Sequence, residues 1–156
     1  MADAATITDN RRAIVRVMSY EVLRGLAAMA RLNGGDMIQF LVFTGIWTAN
    51  TEHLLADKSR YAALNDIPPD SQRRPIPQDA LAAQLAMPAD IVARYVEPLV
   101  AAGYAERRPG GLVIPSAVFA QADMLGGSND LHTRVMSMIV ALRRAGFRFG
   151  DDASAV

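Results

Sequence analysis

The chain has 156 residues, and its 16 Lys and Arg residues balance its 16 Asp and Glu residues, so the formal net charge is zero. Hydrophobic residues make up 51% of the chain, which excludes an intrinsically disordered protein. The absence of cysteine excludes disulfides, thiol catalysis and cysteine-ligated zinc. No apolar run is long enough to cross a membrane, and MADAATITDN lacks the features of a secretory signal. We therefore expect a cytoplasmic protein.

Two long helices are predicted in the first third of the chain. Thr8 is placed to cap a helix that runs to about Leu32. Asp36 and Gln39 resemble a capping box that opens a second helix. This second helix is apolar nearly all round from Met37 to Ala49, so it has to be buried on several sides. In a chain of this length, we expect it to be buried against a partner subunit.

Residues 58–75 form a proline-rich connector, and the most informative pattern of the chain follows it. Apolar residues recur there at helical spacing in two blocks. Between the blocks lies Ala86-Met87-Pro88, where a helix has to end and begin again. The apolar positions of the two blocks are Leu81, Leu85, Ile91, Val92, Val96 and Leu99.

A β-hairpin is predicted directly after the second of these helices. Gly103 ends the helix, and a polar run, a Pro109-Gly110-Gly111 tip and an apolar run follow it. We expect strands at Ala105–Arg108 and Leu112–Ile114. Ile76 is placed to form a further short strand that pairs with this hairpin.

The order of helix, turn, helix and hairpin resembles the winged helix-turn-helix of bacterial transcription regulators. The resemblance rests on a Leu-Ala pair in the first helix, an apolar residue before the turn, the packing positions of the second helix, and a Gly-plus-apolar step into the wing. These residues are Leu81-Ala82, Leu85, Val92, Tyr95, Val96, Leu99 and Gly103-Tyr104. Ala86 departs from the family pattern because Gly is common there, and Pro98 departs from it because it lies inside the second helix.

The C-terminal part completes a layout that is similar to the MarR-type regulators, which are dimers with interlocking terminal helices. A short helix is predicted from Ser116 to about Leu125, then a break at Gly126-Gly127, then a last helix from Ser128 or Asn129 to about Ala145. The expected fold class is mainly α with a small β-wing. In this fold, residues 76–115 form the winged helix-turn-helix, and residues 1–57 and 116–156 form the dimerisation helices.

This resemblance implies a sequence-specific, homodimeric transcriptional regulator, a repressor rather than an activator, that binds a palindromic operator in double-stranded DNA. We expect the second helix of the motif to lie in the major groove, where Arg94 can pair with guanine. Asp90 is either a stabiliser of the helix N-terminus or a cytosine acceptor. The predicted DNA-binding residues are Arg73, Arg74, Gln78, Ala89, Asp90, Ala93, Arg94, Arg107 and Arg108.

A different use of the same motif stays open. The near-neutral charge and Asp90 fit a winged helix that contacts proteins, as an adaptor in a signalling or stress pathway without direct DNA binding. We expect no enzyme activity, because His53 and His132 lack paired-ligand spacing and no nucleophile turn or phosphate-binding glycine loop is present. No cofactor and no metal are predicted.

A cluster of ring side chains on the long helices has two interpretations. Either it is ordinary core, or it lines a pocket between these helices and the winged domain. The MarR-like resemblance implies that such a pocket takes a small aromatic effector. The residues concerned are Tyr20, Phe40, Phe43, Trp47 and His53.

Overall fold

The computed structural model describes residues 9–32 and 34–148, and these residues form a mainly α-helical structure with a two-stranded antiparallel sheet. The helices are α1 (Arg11–Leu32), α2 (Met37–Thr51), α3 (Gln78–Gln84), α4 (Ala89–Ala101), α5 (Ser116–Phe119) and α6 (Ala122–Arg144). The strands are β1 (Glu106–Arg108) and β2 (Gly111–Val113). Short 3-10 turns cover Glu52–Ala56 and Asp70–Gln72. Within the described ranges, no helix combines the length and apolarity that crossing a bilayer requires.

Helix α2 is the centre of the structure. It begins as predicted, because the Asp36 carboxylate accepts hydrogen bonds of 3.0 Å from the amides of Ile38 and Gln39. Val42 and Ile46 are fully buried in a core that α2 shares with α3, α4 and β2. The chain therefore buries one side of this helix by itself, while Met37, Phe40 and Leu41 are half-buried, and burial against a partner subunit stays a prediction.

Helices α3 and α4 pack against α2 at short range. Gly45 of α2 allows this approach, because a Cβ there would lie 3.0 Å from the side chains of both Leu81 and Leu85. Between α3 and α4, Ala86 adopts a φ of 51°, a left-handed conformation that suits the Gly expected at this position. Pro98 lies inside α4, which continues to Ala101.

The hairpin joins the helical core through a third short segment. The amide of Ile76 donates to Leu112 O at 3.0 Å, and the amide of Leu112 donates to Ile76 O at 2.8 Å. The predicted pairing of Ile76 with the hairpin is therefore confirmed. Leu112, Val113 and Ile114 are buried, so the apolar strand faces the core while β1 faces outward.

The C-terminal helix differs from the prediction. Gly126-Gly127 does not break it, and α6 begins at Ala122 rather than at Ser128 or Asn129. The Ser128 hydroxyl donates to Met124 O one turn back, which is a mid-helix bond and not a cap. A mid-helix Gly costs only about 1 kcal/mol relative to Ala, and packing of a long helix against α1 and α5 offsets such a cost.

Helices α1 and α6 pack side by side and leave apolar side chains exposed. Asn10 ties their ends together, since its side-chain amide donates to Gly146 O at 2.8 Å. We call the exposed set the α1–α6 apolar face. Its members are Val15, Met18, Tyr20, Val22, Leu23, Leu131, Val135, Met136 and Val140. The predicted cap Thr8 lies outside the described residues.

Candidate nucleic-acid interface

Helix α4 has a buried face and an exposed face, as its sequence period predicts. Val92, Val96 and Leu99 point into the core. On the other side, Ala89, Asp90 and Arg94 are exposed and Ala93 is half-buried. None of the described residues forms an ion pair with Arg94, so its guanidinium is free to bind a partner.

Arg107 reaches the outer face of α4 from strand β1. One terminal nitrogen of Arg107 hydrogen-bonds the carboxylate of Glu97, and the other lies 3.5 Å from Gln78 Oε1. The two ionic side chains are 49% and 67% exposed, and an exposed pair of this kind contributes only about 0–1 kcal/mol. The pair therefore positions Arg107 beside α4 without fixing it there.

Arg108 points to the other side of the hairpin, as expected for neighbouring strand residues. It donates to Asp70 at 2.8 Å and to Glu106 at 2.6 Å. The hydrogen bond from Arg108, together with that from the Ser116 amide, lowers the pKa of Asp70 to about 2. Arg108 thus holds the hairpin to the connector, and Arg107 is the hairpin arginine on the α4 side.

Arg73 does not lie on the candidate interface, and its assignment as a DNA contact was wrong. The residue is only 6% exposed. Its guanidinium donates to Pro68 O at 3.0 Å and lies over the ring of Phe119, 5.0 Å from the ring centroid. The next residue, Arg74, is exposed and stays in the candidate set.

The exposed charges around α3 and α4 are mixed. Carboxylates accompany the arginines on this surface, so attraction of phosphate to one subunit is weak. The arginines are Arg74, Arg94 and Arg107, and the carboxylates are Asp79, Asp90 and Glu97.

A cavity of about 910 Å³ lies between α2, the connector and α6. Phe40, Phe43 and Trp47 line it, and Phe43 also belongs to the buried core, so the effector pocket stays a prediction. Tyr20 and His53 do not line it, and their assignment to the pocket was wrong. Tyr20 is 61% exposed on α1, and His53 lies in the 3-10 turn after α2.

Phe119 and Arg73 line the same cavity, and sequence reasoning missed both there. The ring of Phe119 lies 6.1 Å from that of Phe43 and 5.4 Å from that of Trp47, measured between centroids. The sequence predicts that Phe119 points inward, but its neighbours come from a helix far away in the chain. No local pattern identifies such a pairing.

Comparison with known protein families finds no family model that matches this chain, and neither curated proteins nor solved structures give a match.

Proposed function

We propose that this protein is a sequence-specific DNA-binding transcriptional regulator that acts as a homodimer and as a repressor. In this proposal residues 76–115 are a winged helix-turn-helix. The observation that supports it best is the exposed face of α4, where the unpaired Arg94 lies on the surface that Arg107 of the hairpin also reaches. A helix with one buried and one exposed face, next to a hairpin that carries a cation, fits a groove and its flanking phosphates.

Each side chain of this surface has a defined task in the proposal. Arg94 pairs with a guanine through its two terminal nitrogens. Arg107 exchanges the Glu97 carboxylate for a DNA phosphate. The side-chain amide of Gln78, at the start of α3, contacts the DNA backbone. Arg74 supplies a flanking phosphate contact. Asp90, in the first turn of α4, interacts favourably with the positive end of the helix.

The dimer is formed by the α1–α6 apolar face in this proposal. Leu23 and Val15 are 67% and 61% exposed, although both are large apolar side chains. Apolar side chains exposed on two antiparallel helices are costly to leave in water, and a second copy covers them. Two subunits also double the phosphate contacts, which compensates for the mixed charge of each reading surface.

The function is tested by gel shift with DNA from the promoter of the protein's own gene, at several salt concentrations. We expect a salt-sensitive complex with the intact protein. Arg94→Ala should cost roughly 1–3 kcal/mol and relax specificity at one base pair. Arg12→Ala, which removes an exposed arginine of α1, is the control and should leave the complex unchanged. The absence of any salt-sensitive complex would remove the DNA-binding proposal.

Assembly is tested separately by sedimentation equilibrium at micromolar concentration. We expect a dimer that Leu23→Glu converts into a folded monomer, because a charge in the α1–α6 apolar face cannot be buried. Glu52→Lys, a charge change at an exposed position outside that face, serves as the control. A stable monomer of the unchanged protein would contradict the proposed assembly.

A protein-contact adaptor is the second candidate function. It is favoured by the pairing of Arg107 and Arg108 with carboxylates of the same chain, which reduces the charge available to DNA. The adaptor interpretation predicts no DNA complex, and it predicts that the exposed face of α4 binds a protein partner. Loss of that protein complex in Arg94→Ala, with no DNA binding by the intact chain, would establish it.

A further inference from the structure

The wall of the cavity contains one buried cation. Arg73 is the lining residue concerned, and its side chain is 1% exposed. The other charged lining residues, Arg31, Asp66 and Asp123, are exposed at the rim, where water screens them. Burial lowers the pKa of Arg73, yet an arginine stays protonated at neutral pH. The interior of the cavity therefore carries a positive charge.

The guanidinium of Arg73 is only partly satisfied by the protein. One terminal nitrogen donates to Pro68 O at 3.0 Å. The Nε and the other terminal nitrogen are buried and have no hydrogen-bond acceptor among the described residues. Stacking on Phe119 offsets part of this cost, but buried charged donors without acceptors are expensive. The unused donors, the Nε–H and the second terminal nitrogen, lie on different edges of the guanidinium, and each can donate a hydrogen bond to a carboxylate oxygen.

Asp70 is the nearest carboxylate, and it does not fill this role. Its Oδ1 lies 3.7 Å from Arg73 Nε, beyond hydrogen-bond range. The same Oδ1 accepts the amide of Ser116 at 2.7 Å, and Oδ2 accepts Arg108 at 2.8 Å. Both oxygens of Asp70 are therefore engaged elsewhere, and two donors of Arg73, Nε and one terminal nitrogen, have no acceptor among the described residues and are left for a ligand.

The remaining surface of the cavity is suited to an apolar body. Phe40, Phe43, Trp47 and Phe119 contribute rings, and the volume of about 910 Å³ is enough for a ligand of one or two rings. On one side the wall is connector chain, residues 61–68, without helix or strand. Residues 61–68 can move aside to admit a ligand, because loops move more easily than packed helices.

We propose that this cavity binds a monocarboxylic acid with an apolar body, and that Arg73 pairs with its carboxylate. The inference names the ligand class for the effector site and rests on the proposed function only for the consequence of binding. Asp70 lies between Arg73 and Arg108 of the hairpin. An acid bound at Arg73 therefore affects the Asp70–Arg108 pair, which holds the hairpin to the connector. Ligand binding is measured on the protein alone, so its failure is distinct from a failure of DNA binding.

The experiment compares acids with neutral amides of the same shape by titration calorimetry. The pairs are 2-naphthoate with 2-naphthamide, and octanoate with octanamide, so that rings and alkyl chains are both sampled. We expect at least one acid to bind at least roughly tenfold more tightly than its amide, because a charged carboxylate pairs more strongly with the buried guanidinium than a neutral amide oxygen does. Trp47, which lines the cavity and is the chain's one tryptophan, gives a fluorescence readout for octanoate. Equal affinity within both pairs, or no binding of either acid at millimolar concentration, would overturn the proposal.

Two variants locate the site. Arg73→Met should remove the preference for acid over amide, whereas Arg74→Met, which changes the exposed neighbour, should keep it. Ser128→Phe should block the acid by filling the cavity, since Ser128 lines it. Ser137→Phe is its control, because Ser137 makes the same type of hydroxyl bond within α6 but does not line this cavity. An acid preference that survives in folded Arg73→Met would overturn the role of Arg73, and acid binding that survives Ser128→Phe would overturn the location in the cavity. If Arg73→Met does not fold, Arg73→Lys replaces it, and unchanged affinities for acid and amide in that variant would overturn the role of Arg73.

Discussion

Asn50 and Ile114, 64 positions apart, are joined by a hydrogen bond in the core, in which Asn50 Oδ1 accepts the amide of Ile114 at 2.9 Å. The side-chain amide of Asn50 also donates to Arg74 O at 2.7 Å and to Leu112 O at 3.0 Å. Asn50 is fully buried. One side chain of α2 therefore connects the central helix to the connector and to β2, and it sets where the hairpin lies relative to α4.

Asn50→Ala should destabilise the protein by about 3 kcal/mol, because a buried amide and buried carbonyls lose their partners at once. The measurement is urea unfolding followed by circular dichroism. Asn129→Ala changes an exposed asparagine of α6 and should alter stability by less than about 0.5 kcal/mol. Equal small effects of both substitutions would show that the Asn50 bonds are dispensable.

The features that the sequence predicted well are local ones. The Asp36 cap and the ends of α3 and α4 follow from backbone hydrogen bonding and from spacing within a few turns. Ala86 departs from the Gly that is common at this position, and its left-handed φ is the conformation that Gly would tolerate best there. Such signals are complete within a short window, so no knowledge of distant neighbours is needed.

The features that the sequence did not predict depend on neighbours far along the chain. Arg73 and Arg74 are adjacent arginines, and it is Arg73 that is buried, against the ring of Phe119 and the carbonyl of Pro68. Gly126-Gly127 has the composition of a break, but packing of α6 on α1 and α5 keeps the helix continuous. Asn50 had one usable signal, because it follows Ile46 by one helical turn and so shares its buried face.

Gly111 is the second site at which a small change should have a large effect. Its φ is 138°, and a Cβ there would lie 2.1 Å from the carbonyl oxygen of Ile76. Gly111→Ala should therefore break the Ile76–Leu112 pairing and cost more than about 3 kcal/mol in thermal or urea unfolding.

Gly110→Ala is the matched control for this substitution. Gly110 also has a positive φ, of 94°, but a Cβ there would approach only Pro75, at 3.7 Å. Conformational strain alone should cost about 1–2 kcal/mol. If both variants lose the same stability, the clash with Ile76 is not what restricts residue 111 to glycine.

The Asp70–Arg108 pair should make stability depend on pH in the acid range. The pKa of Asp70 is about 2 in the folded chain against an ordinary value of 3.8, so its ionised form stabilises the fold above about pH 4. This stabilisation is lost as the pH falls from about 4 towards 2. Its size is on the order of 1 kcal/mol, because the side chain is 40% exposed and solvent screens the pair.

Urea unfolding between pH 2 and pH 6, at about unit intervals, measures this contribution. Asp70→Asn should be less stable than the unchanged protein above pH 4, and the difference should shrink towards pH 2. Asp130→Asn, at an exposed position of α6, should leave the shape of the pH profile unchanged. A constant difference at every pH would show that Asp70 acts through packing and not through its charge.

Glu97 should restrain DNA binding, because its carboxylate occupies the guanidinium of Arg107 on the surface proposed to face DNA. Glu97→Gln frees that cation and removes a charge that repels phosphate. We expect operator affinity to rise several-fold and the slope of log affinity against log salt to steepen by about one unit. Stability should change by less than about 1 kcal/mol, since the pair is exposed.

Glu106→Gln is the control, because Glu106 pairs with Arg108 on the other side of the hairpin and should leave the salt dependence unchanged. If Glu106→Gln steepens the salt dependence and Glu97→Gln does not, then DNA contacts the Arg108 side of the hairpin, and the outer face of α4 is not the DNA-binding surface.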